Sequence, residues 1–451
     1  MRDHPRMHPR KRLDVAWGDL FHAAMQCAAD ETHARVALES AAGGREWLAA
    51  LSVRSALDLA LSCASWPAGT RVVVSALTIP DMLRVLRAHG LEPVAIDVDP
   101  RTLEPDFAAA RRILEASAPS DRPRALLLAH LYGTRIDLEP WIALARAHGA
   151  ELWEDAAQAW TGDGWRGDAR SDLVFLSFGP IKTGTALAGG LVRVADAGRR
   201  AAMGRLQDSW PRQRARAHLA RLAKYACFKL VATRACFGAF DRACRLLGTT
   251  SDDVIAGSVR GFSRERLLEE LRRRPAPALM ASMARRLSQG ERERVARQRE
   301  LGESLRARLA PRAALVGGDA PIRHHWVAAV ASDEPARLVA ALRAAGYDAT
   351  ARATLACNGG AHETPRAHWL ATRLVYLPLH AEMGRDEVER LADELLAAGE
   401  CGPRPLPGPA RDEAAPRMRV VRAGEPPSDA PVAGDAGAAP VAVALETARR
   451  S

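Results

Sequence analysis

The sequence predicts an α/β fold in which a mostly parallel sheet carries helices on both faces and so forms three layers. Strand-like and helix-like segments alternate from residue 51 to residue 194, and the strand-like ones are short apolar runs. This alternation is typical of parallel sheets, whose strands are joined by helices and buried on both faces. A smaller α+β domain is expected to follow in the C-terminal half.

The individual segments support this order. The strand-like runs are rich in Val, Leu and Ile, and the helical ones repeat apolar residues every three or four positions. In chain order we expect a helix from 55, a strand over 71–74, a helix over 82–86, a strand over 93–99, a helix over 108–114, a strand over 125–128, a helix over 141–148, and strands over 151–153 and 172–176.

The later part of the chain changes character. Residues 197–300 are mainly helical and basic, and a strand over 326–330 and helices over 335–345 and 386–398 follow. The region after residue 400 is rich in Pro, Ala and Gly, a composition typical of disorder. We therefore expect a basic N-terminal extension over 1–12, a large domain over 13–262 that includes a basic helical segment over 197–262, a small domain over 263–400 and a disordered tail over 401–451.

Composition limits the class of protein. The 451 residues are 48% hydrophobic and 26% charged, which is ordinary for a globular chain of two domains. No apolar run approaches the ~20 residues of a membrane span, and no secretory signal is expected in residues 1–12. The seven cysteines are scattered without a CxxC pair, which argues against a disulfide framework or a metal site. A reducing cytoplasm is the expected location.

The net charge of +10 is concentrated in one region. Residues 197–274 hold 18 Lys or Arg and seven Asp or Glu, a balance of +11. No nucleic-acid-binding motif accompanies this charge, so we expect no nucleic acid partner. A basic amphipathic helix is expected near 214–230, with one apolar face made of Leu219, Leu222, Ala223, Ala226 and Leu230. With aromatic residues as far as 240, it is compatible with peripheral contact with an anionic membrane. The same apolar face is also compatible with packing on the protein or on a partner subunit, which we favour.

Lys182 is the most informative single residue. The chain has 60 arginines and four lysines, yet a lysine follows the strand predicted over 172–176. Arginine does not lose its proton and cannot form an imine, whereas lysine can. Asp155 and Gln158 follow the strand before it. A carboxylate and an amide at one strand end, with a lysine after the next strand, suggest a pyridoxal phosphate (PLP) site.

Each of these residues also has an ordinary structural explanation. An isolated lysine is most often a surface loop residue. An aspartate after a strand often caps a turn or helix, and Gln158 and Ser177 could be polar loop residues. His130 could satisfy a buried backbone group, and we assign it no role.

Several short motifs follow one another along the chain: Asp97-Val98-Asp99, His130-Leu131-Tyr132-Gly133 with Asp137, Glu154-Asp155-Ala156-Ala157-Gln158, Ser177-Phe178, Lys182, Gly189-Gly190 and Leu377-Pro378-Leu379-His380-Ala381-Glu382-Met383. Any one of them is weak, but together they cover roughly residues 50–398. In this order they resemble the DegT/StrS family of PLP-dependent sugar aminotransferases, which have the aspartate aminotransferase fold (fold type I).

The resemblance implies a role for each site residue. Lys182 would hold PLP covalently and then move the proton between two carbons. Asp155 would pair with the pyridine nitrogen, which keeps the ring electron-withdrawing. Gln158 would contact the ring or its phenolic oxygen. Ser177 would bind the cofactor phosphate through a charge-assisted hydrogen bond.

Two positions depart from the family pattern. The family usually has Gly-Thr at the start of the helix that cradles the phosphate, and this chain has Val53-Arg54 followed by Ser55. Arg54, Ser55 and the helix N-terminus remain candidates for binding the phosphate. The family tends to place an aromatic ring over PLP after a threonine, and here Ile79 takes that place.

The resemblance implies an aminotransferase that moves an amino group from an amino acid, most plausibly glutamate, to a keto-sugar linked to a nucleotide. Such products enter cell-surface polysaccharides or secondary metabolites. Members with His in place of the lysine are dehydratases, and Lys182 argues against that activity. A homodimer is implied as well. The alternative is a PLP-fold protein with impaired catalysis that acts as a binding or regulatory subunit, as the changes at Val53, Arg54 and Ile79 suggest.

Overall fold

A seven-stranded sheet is the largest element of the protein. The computed structural model describes residues 7–399 except 260, 261, 263, 264, 311, 353 and 354, so the predicted tail lies outside the described residues. The strands are β1 (Trp47–Ala50), β2 (Arg71–Ser75), β3 (Leu77–Thr78), β4 (Glu92–Ile96), β5 (Ala125–Ala129), β6 (Thr134–Arg135), β7 (Glu151–Asp155), β8 (Leu173–Ser177), β9 (Gly190–Val194), β10 (Ile322–Arg323), β11 (Ala328–Ala331), β12 (Ala356–Cys357) and β13 (Leu374–Leu377).

Helices connect and cover these strands. In addition to a short 3-10 helix, Gln26–Ala28, they are α1 (Trp17–Met25), α2 (Glu31–Ala42), α3 (Val53–Ala64), α4 (Pro80–Ala88), α5 (Phe107–Ala116), α6 (Glu139–His148), α7 (Ala197–Asp208), α8 (Ala215–Val231), α9 (Arg234–Leu246), α10 (Ser251–Val259), α11 (Leu267–Leu271), α12 (Pro277–Gln289), α13 (Arg292–Leu309), α14 (Pro335–Ala344), α15 (Pro365–Arg373) and α16 (Arg385–Ala397).

The strand order in the large sheet is β1-β9-β8-β7-β5-β2-β4. The strands β4, β2, β5, β7 and β8 run parallel to one another, and β9 runs antiparallel to both β8 and β1. Successive residues of β2 face opposite sides: Val72 and Val74 pack with α3 and α4, whereas Val73 packs with α5 and α6. The predicted fold class, a mostly parallel sheet between two helical layers, is therefore confirmed.

A second apolar core forms in the C-terminal part. β11 and β13 form an antiparallel pair that packs with α13, α14 and α16 around Leu305, Val330, Leu342 and Leu391. The predicted boundary at residue 263 stays a prediction. α12, which follows that position, packs against α2 beside the large sheet.

One predicted strand ends early because its next residue has another role. β4 stops at Ile96, and the side chain of Asp97 then accepts hydrogen bonds from the backbone N–H groups of Arg366 (3.0 Å) and Ala367 (2.8 Å) in the first turn of α15. The Arg366 guanidinium also pairs with Asp97. Asp97 therefore ties the large sheet to the C-terminal part.

The basic helix α8 buries a different face from the predicted one. The prediction placed Leu219, Leu222 and Leu230 on one buried face, but Leu219 and Leu230 are exposed. The buried positions are His218, Leu222 and Tyr225. Of the aromatic residues considered for membrane contact, Tyr225 and Phe237 are buried. Among the described residues, no helix combines the length and the apolar composition that crossing a bilayer requires.

Gly190 lets β9 approach the start of α3. A Cβ atom on Gly190 would lie 2.7 Å from the backbone nitrogen of Val53 and 2.8 Å from the carbonyl carbon of Ser52. We expect Gly190→Ala to destabilise the protein by about 2–3 kcal/mol, since backbone atoms cannot swing aside. Thermal unfolding measures the effect. Gly204→Ala is the control: a Cβ there meets nothing within 4 Å, and alanine favours α7. Equal unfolding midpoints for both variants would contradict this prediction.

Candidate active site

The carboxyl ends of three parallel strands meet at one edge of the sheet. β7 ends at Asp155, which lies opposite Ala129 of β5 and Phe175 of β8. β8 continues two residues further, to Ser177. The sheet register therefore brings Asp155 and Ser177 to the edge where open parallel sheets bind ligands.

Asp155 is a buried carboxylate. It is 6% exposed, and its Oδ1 accepts a hydrogen bond from the N–H of Ala157 at 3.0 Å. Burial raises the pKa of Asp155, whereas that hydrogen bond, Lys182 and His130 act in the opposite direction. The carboxylate thus lies within electrostatic reach of Lys182, and a cation placed beside it would stabilise its ionised form.

Lys182 lies in the turn after β8, in contact with Trp326. Its Nζ is 4.2 Å from the centre of the Trp326 ring, and the indole N–H of Trp326 donates to the carbonyl of Ile181 at 3.0 Å. Burial lowers the pKa of Lys182 from 10.5 to about 8; Asp155 opposes this shift, and Lys11 and Arg54 add to it. The amine is therefore partly uncharged near neutral pH, as a nucleophilic lysine must be.

This lowered pKa makes Lys182→Met a stability test. Lys182 binds its proton more weakly in the folded chain than in the unfolded chain, so burying the charged amine lowers the free energy of unfolding. This loss of stability is complete below pH 8, shrinks from pH 8 to 10.5 and is absent above pH 10.5. Lys182→Met removes this charge, and because Lys182 is half-buried, water screens part of it. We therefore expect the free energy of unfolding of the variant at pH 7 to be about 1–3 kcal/mol higher than that of the wild type. Denaturant unfolding of the wild type and the variant at pH 7 and pH 10.5 tests this prediction. The same difference in unfolding free energy at both pH values would contradict it.

Gln158 faces the loop after β5. Its Oε1 accepts a hydrogen bond from the backbone N–H of Tyr132 at 3.1 Å, and the residue is 8% exposed. Tyr132 has φ of +52°, and its hydroxyl lies 2.9 Å from that of Tyr376. The amide of Gln158 is thus held by its oxygen, which leaves its NH₂ group as the donor for another ligand.

Ser177, Gly190 and the start of α3 lie together. Ser177 is opposite Gly190 in the β8–β9 pair, and Gly190 contacts the backbone of Ser52 and Val53. The Ser177 hydroxyl accepts a hydrogen bond from the N–H of Gly179 at 3.3 Å. The first N–H groups of a helix have no partner within it and attract anions. A hydroxyl beside such a helix start is a suitable phosphate cradle.

The departure from the family pattern at the start of α3 has a structural explanation. The side chain of Val53 packs in the hydrophobic core, so the core accommodates its bulk. Ser55 is fully buried, and its N–H and hydroxyl both bond to the hydroxyl of Ser52, each at 3.1 Å. Arg54 donates to Asp81 at 2.7 Å and stacks on Phe262 at 4.7 Å. The charge of Arg54 therefore already has a partner.

Ile79 lies at the beginning of α4, directly after β3. It is partly buried and packs against two hydrophobic clusters, one on the α3 side of the sheet and one around Leu77 and Tyr376. Trp326 is the aromatic residue whose ring contacts Lys182.

His130 and Glu154 form a buried structural pair. The His130 Nδ1 accepts the N–H of Ile136 at 2.9 Å, so its proton is on Nε2 and is donated to Glu154, also at 2.9 Å. The other oxygen of Glu154 accepts from the N–H of Asp168 and the hydroxyl of Ser171. Glu154 therefore fixes the loop before β8, whereas its neighbour Asp155 points to the other side of the strand.

Sequence reasoning missed Trp326 and Lys11. Trp326 precedes β11 rather than opening it, because its indole is bonded to the loop that carries Lys182. Lys11 donates to the carbonyl of Trp326 at 3.2 Å. The rarity of lysine, which drew attention to Lys182, applies equally to Lys11.

The donor set fits PLP. The site offers an amine of lowered pKa, a buried carboxylate within electrostatic reach of it, and a hydroxyl beside a helix N-terminus. These groups match the aldehyde, the ring nitrogen and the phosphate of PLP. Lys182, Asp155, Ser177 and the start of α3 are the groups that would hold the cofactor.

Curated relatives match part of the chain. GDP-perosamine synthase of Caulobacter vibrioides is 32% identical over 145 residues, which are 32% of this chain and 38% of the relative. A UDP-N-acetyl-3-dehydro-alpha-D-glucosamine 3-aminotransferase of Acidithiobacillus ferrooxidans is 35% identical over 145 residues, with the same shares. A pleiotropic regulatory protein of Geobacillus stearothermophilus is 34% identical over 104 residues, 23% of this chain and 27% of the relative. The chain thus spans less than two fifths of the length of these relatives.

Solved structures match the fold over most of the chain. The aminotransferase TlmJ from Streptoalloteichus hindustanus superposes with a TM-score of 0.63 at 20% identity, covering 87% of this chain and 98% of that one. DesI, solved in the presence of its TDP-sugar product, superposes with a TM-score of 0.60 at 21% identity, covering 88% of this chain and 93% of DesI. At these identities the likeness is one of fold. Residues 36–216 match the sequence model of the DegT/DnrJ/EryC1/StrS aminotransferase family, and the predicted resemblance to this family is confirmed over that segment.

Proposed function

We propose that the protein is a PLP-dependent aminotransferase that moves an amino group from an amino acid, most plausibly glutamate, to a keto-sugar linked to a nucleotide. One observation carries the proposal. Lys182, with a pKa lowered to about 8, lies within electrostatic reach of the buried Asp155 at the carboxyl edge of the sheet. A reactive amine and a carboxylate at this edge are what PLP chemistry requires.

The side chains would divide the work. When bound, PLP supplies an aldehyde that accepts the amino group and a ring that withdraws electrons from the reacting carbon. The Lys182 amine holds the aldehyde carbon and later moves a proton as a general base and acid. The Asp155 carboxylate keeps a proton on the pyridine nitrogen. Ser177 and the start of α3 bind the phosphate, with Arg54 as a more distant cation.

The substrate class rests on the relatives. One is named as a synthase of GDP-perosamine, and another as a 3-aminotransferase of a UDP-linked dehydro-glucosamine. We infer a nucleotide-linked keto-sugar as acceptor, and a place in the synthesis of cell-surface polysaccharide or of a secondary metabolite. The six cysteines of the described residues are all free thiols, which supports a reducing compartment, the cytoplasm.

Isotope transfer tests this function. The purified protein is incubated with PLP, ¹⁵N-labelled L-glutamate and a panel of GDP-, UDP- and TDP-linked keto-sugars, and mass spectrometry follows the sugars. We expect one of them to gain a labelled amino group in place of its keto oxygen, and Lys182→Ala to abolish the gain. Labelled product formed equally well by Lys182→Ala would contradict the proposal.

A binding or regulatory subunit is the second candidate. The Arg54 guanidinium is paired with Asp81, and Ile79 replaces an aromatic residue, so both departures weaken the contacts expected with PLP. One relative carries the name of a regulatory protein. A protein that binds PLP on Lys182 but takes nitrogen from none of the twenty amino acids would favour this candidate.

We further propose a homodimer, as the family resemblance implies. Trp17, Phe21 and Met25 form an apolar stripe along α1, 50%, 69% and 64% exposed, which a second copy would cover. Analytical ultracentrifugation should give a dimer that Phe21→Ser weakens.

Peripheral membrane contact through residues 214–240 is the alternative. Co-sedimentation of a monomer with anionic liposomes, lost when Arg221 and Lys224 are neutralised, would support it.

A further inference from the structure

The N-terminal segment over 7–14 is fixed along its length; we call it the N-terminal strap. The N–H of His8 donates to the carbonyl of Gly346 at 2.8 Å, and its carbonyl accepts the N–H of Asp348 at 2.9 Å. The His8 ring stacks on Tyr347 with centres 5.3 Å apart. At the other end, the Asp14 carbonyl accepts from Arg286 at 2.8 Å. The backbone between these points therefore has a defined course.

Most cations of the strap lie against carboxylates. Arg10 pairs with Asp252 and lies 3.5 Å from Asp348, and Arg12 pairs with Glu382. Lys11 differs: no carboxylate of the described residues lies within 4.0 Å of its Nζ, which donates instead to the Trp326 carbonyl at 3.2 Å. A partly buried lysine without an ion pair is unusual enough to require an explanation.

Lys11 and Lys182 share one aromatic side chain. The Nζ atoms of Lys11 and Lys182 lie 5.4 Å and 4.2 Å, respectively, from the centre of the Trp326 ring. The same tryptophan is bonded to both segments, since its carbonyl accepts from Lys11 and its indole N–H donates beside Lys182. Trp326 thus couples the position of one lysine to that of the other.

We propose that Lys11 is a positioning residue for Lys182: its ammonium, delivered by the strap, disfavours a second positive charge at Trp326 and keeps the Lys182 amine ready to bond to an aldehyde. The inference rests on the proposed function in naming PLP as the source of that aldehyde. Its effect on the amine itself does not depend on any cofactor.

The surrounding charges set the direction of this effect. Lys182 faces Asp155 from β7, which favours its protonation, and Arg54 from α3 and Lys11 from the strap, which oppose it. Burial lowers the pKa of Lys11 itself, whereas Asp14 favours its charge and Arg294 opposes it. Arg54 forms an ion pair with Asp81, which weakens its field at Lys182. Among the described residues no carboxylate lies within 4.0 Å of the Lys11 Nζ, so the more distant Asp14 weakens the field of Lys11 less. Removal of the Lys11 charge therefore lets Asp155 favour the protonated form of Lys182 more strongly.

Carbamylation of the cofactor-free protein tests the inference. Isocyanic acid, the reactive form of cyanate, adds to uncharged amines only. The rate at Lys182, read from peptide mass spectra between pH 6 and pH 10 and divided by the isocyanic acid concentration at each pH, therefore gives the titration midpoint of that amine. We expect a midpoint near 8 in the wild type. Lys11→Gln and Lys11→Met should raise it by about one pH unit, because each removes a nearby like charge. Lys224, which is exposed, serves as the internal reference in every sample.

Three variants separate charge from structure. Lys11→Arg keeps the charge and should leave the midpoint unchanged. Lys11→Gln keeps a donor for the Trp326 carbonyl but loses the charge, and should shift like Lys11→Met. Arg12→Met removes a strap cation that is already paired with a carboxylate, and should leave the titration midpoint of Lys182 unchanged.

An unchanged midpoint in Lys11→Gln, or equal shifts in Lys11→Gln and Lys11→Arg, overturns the inference. Because no PLP is present, a shifted midpoint in a protein that never binds PLP would reject the proposed function and retain the role of Lys11. Circular dichroism and unfolding curves of each variant show that the compared proteins are folded. If Lys11→Met fails to fold, the Gln and Arg pair alone decides.

Discussion

Lys182→Ala should lose the covalent attachment of PLP to the chain. The Lys182 amine lies at the carboxyl edge of the sheet with a pKa lowered to about 8, and alanine has no group that can bond to an aldehyde. Borohydride reduction of the PLP-loaded wild type should add the mass of the reduced cofactor to the intact chain, at Lys182. The variant should show no such addition, and amino transfer should fall by roughly 10⁴-fold or more.

Two further variants make this result specific. Lys224→Ala removes an exposed lysine of α8 and should retain the full mass addition. Lys182→Arg keeps a positive charge and similar length, yet should behave like alanine because the guanidinium does not lose its proton. Mass addition to Lys182→Ala at another lysine, with transfer retained, would mean that the wrong amine has been identified.

Asp155→Asn should leave PLP on Lys182 but slow the chemistry by roughly a thousandfold, equivalent to ~4 kcal/mol of transition-state stabilisation. Asparagine matches aspartate in shape but carries no negative charge to keep the pyridine nitrogen protonated. The buried position and the hydrogen bond from Ala157 make the carboxylate a fixed one. Stopped-flow absorbance of the half-reaction with the amino donor measures the loss.

The control for this variant is Asp121→Asn, since Asp121 is an exposed carboxylate paired with Arg71 before β5. It should react like the wild type. Half-reaction rates for Asp155→Asn within twofold of the wild type would show that this carboxylate does not face the cofactor nitrogen.

The sequence predicts the edge of the sheet that carries the site because strand register is a property of buried apolar runs. Parallel strands have their carboxyl ends at the same edge of a sheet, so Asp155 and Ser177, which follow the runs over 151–153 and 172–176, fall at one edge. Gly190 was identified only as part of a motif, and the structure is what pairs its strand, β9, with both β8 and β1.

The remaining features depend on contacts between distant segments, which local patterns do not encode. Lys11 and Trp326 are 315 residues apart, and only the folded chain shows that they meet beside Lys182. Asp97 was noted as a strand end, but its partner Arg366 is 269 residues away. The buried face of α8 was misassigned because His218 and Tyr225, with polar atoms, take positions that the apolar pattern gave to Leu219 and Leu230.

The visible spectrum of the PLP-loaded protein, before and after addition of L-glutamate, tests the central claim most directly. We predict an absorbance band of PLP bound to Lys182 that disappears on addition of glutamate and returns when 2-oxoglutarate is added. A protein that shows no such band even with excess PLP would contradict the assignment of Lys182, Asp155 and the start of α3 as a PLP site.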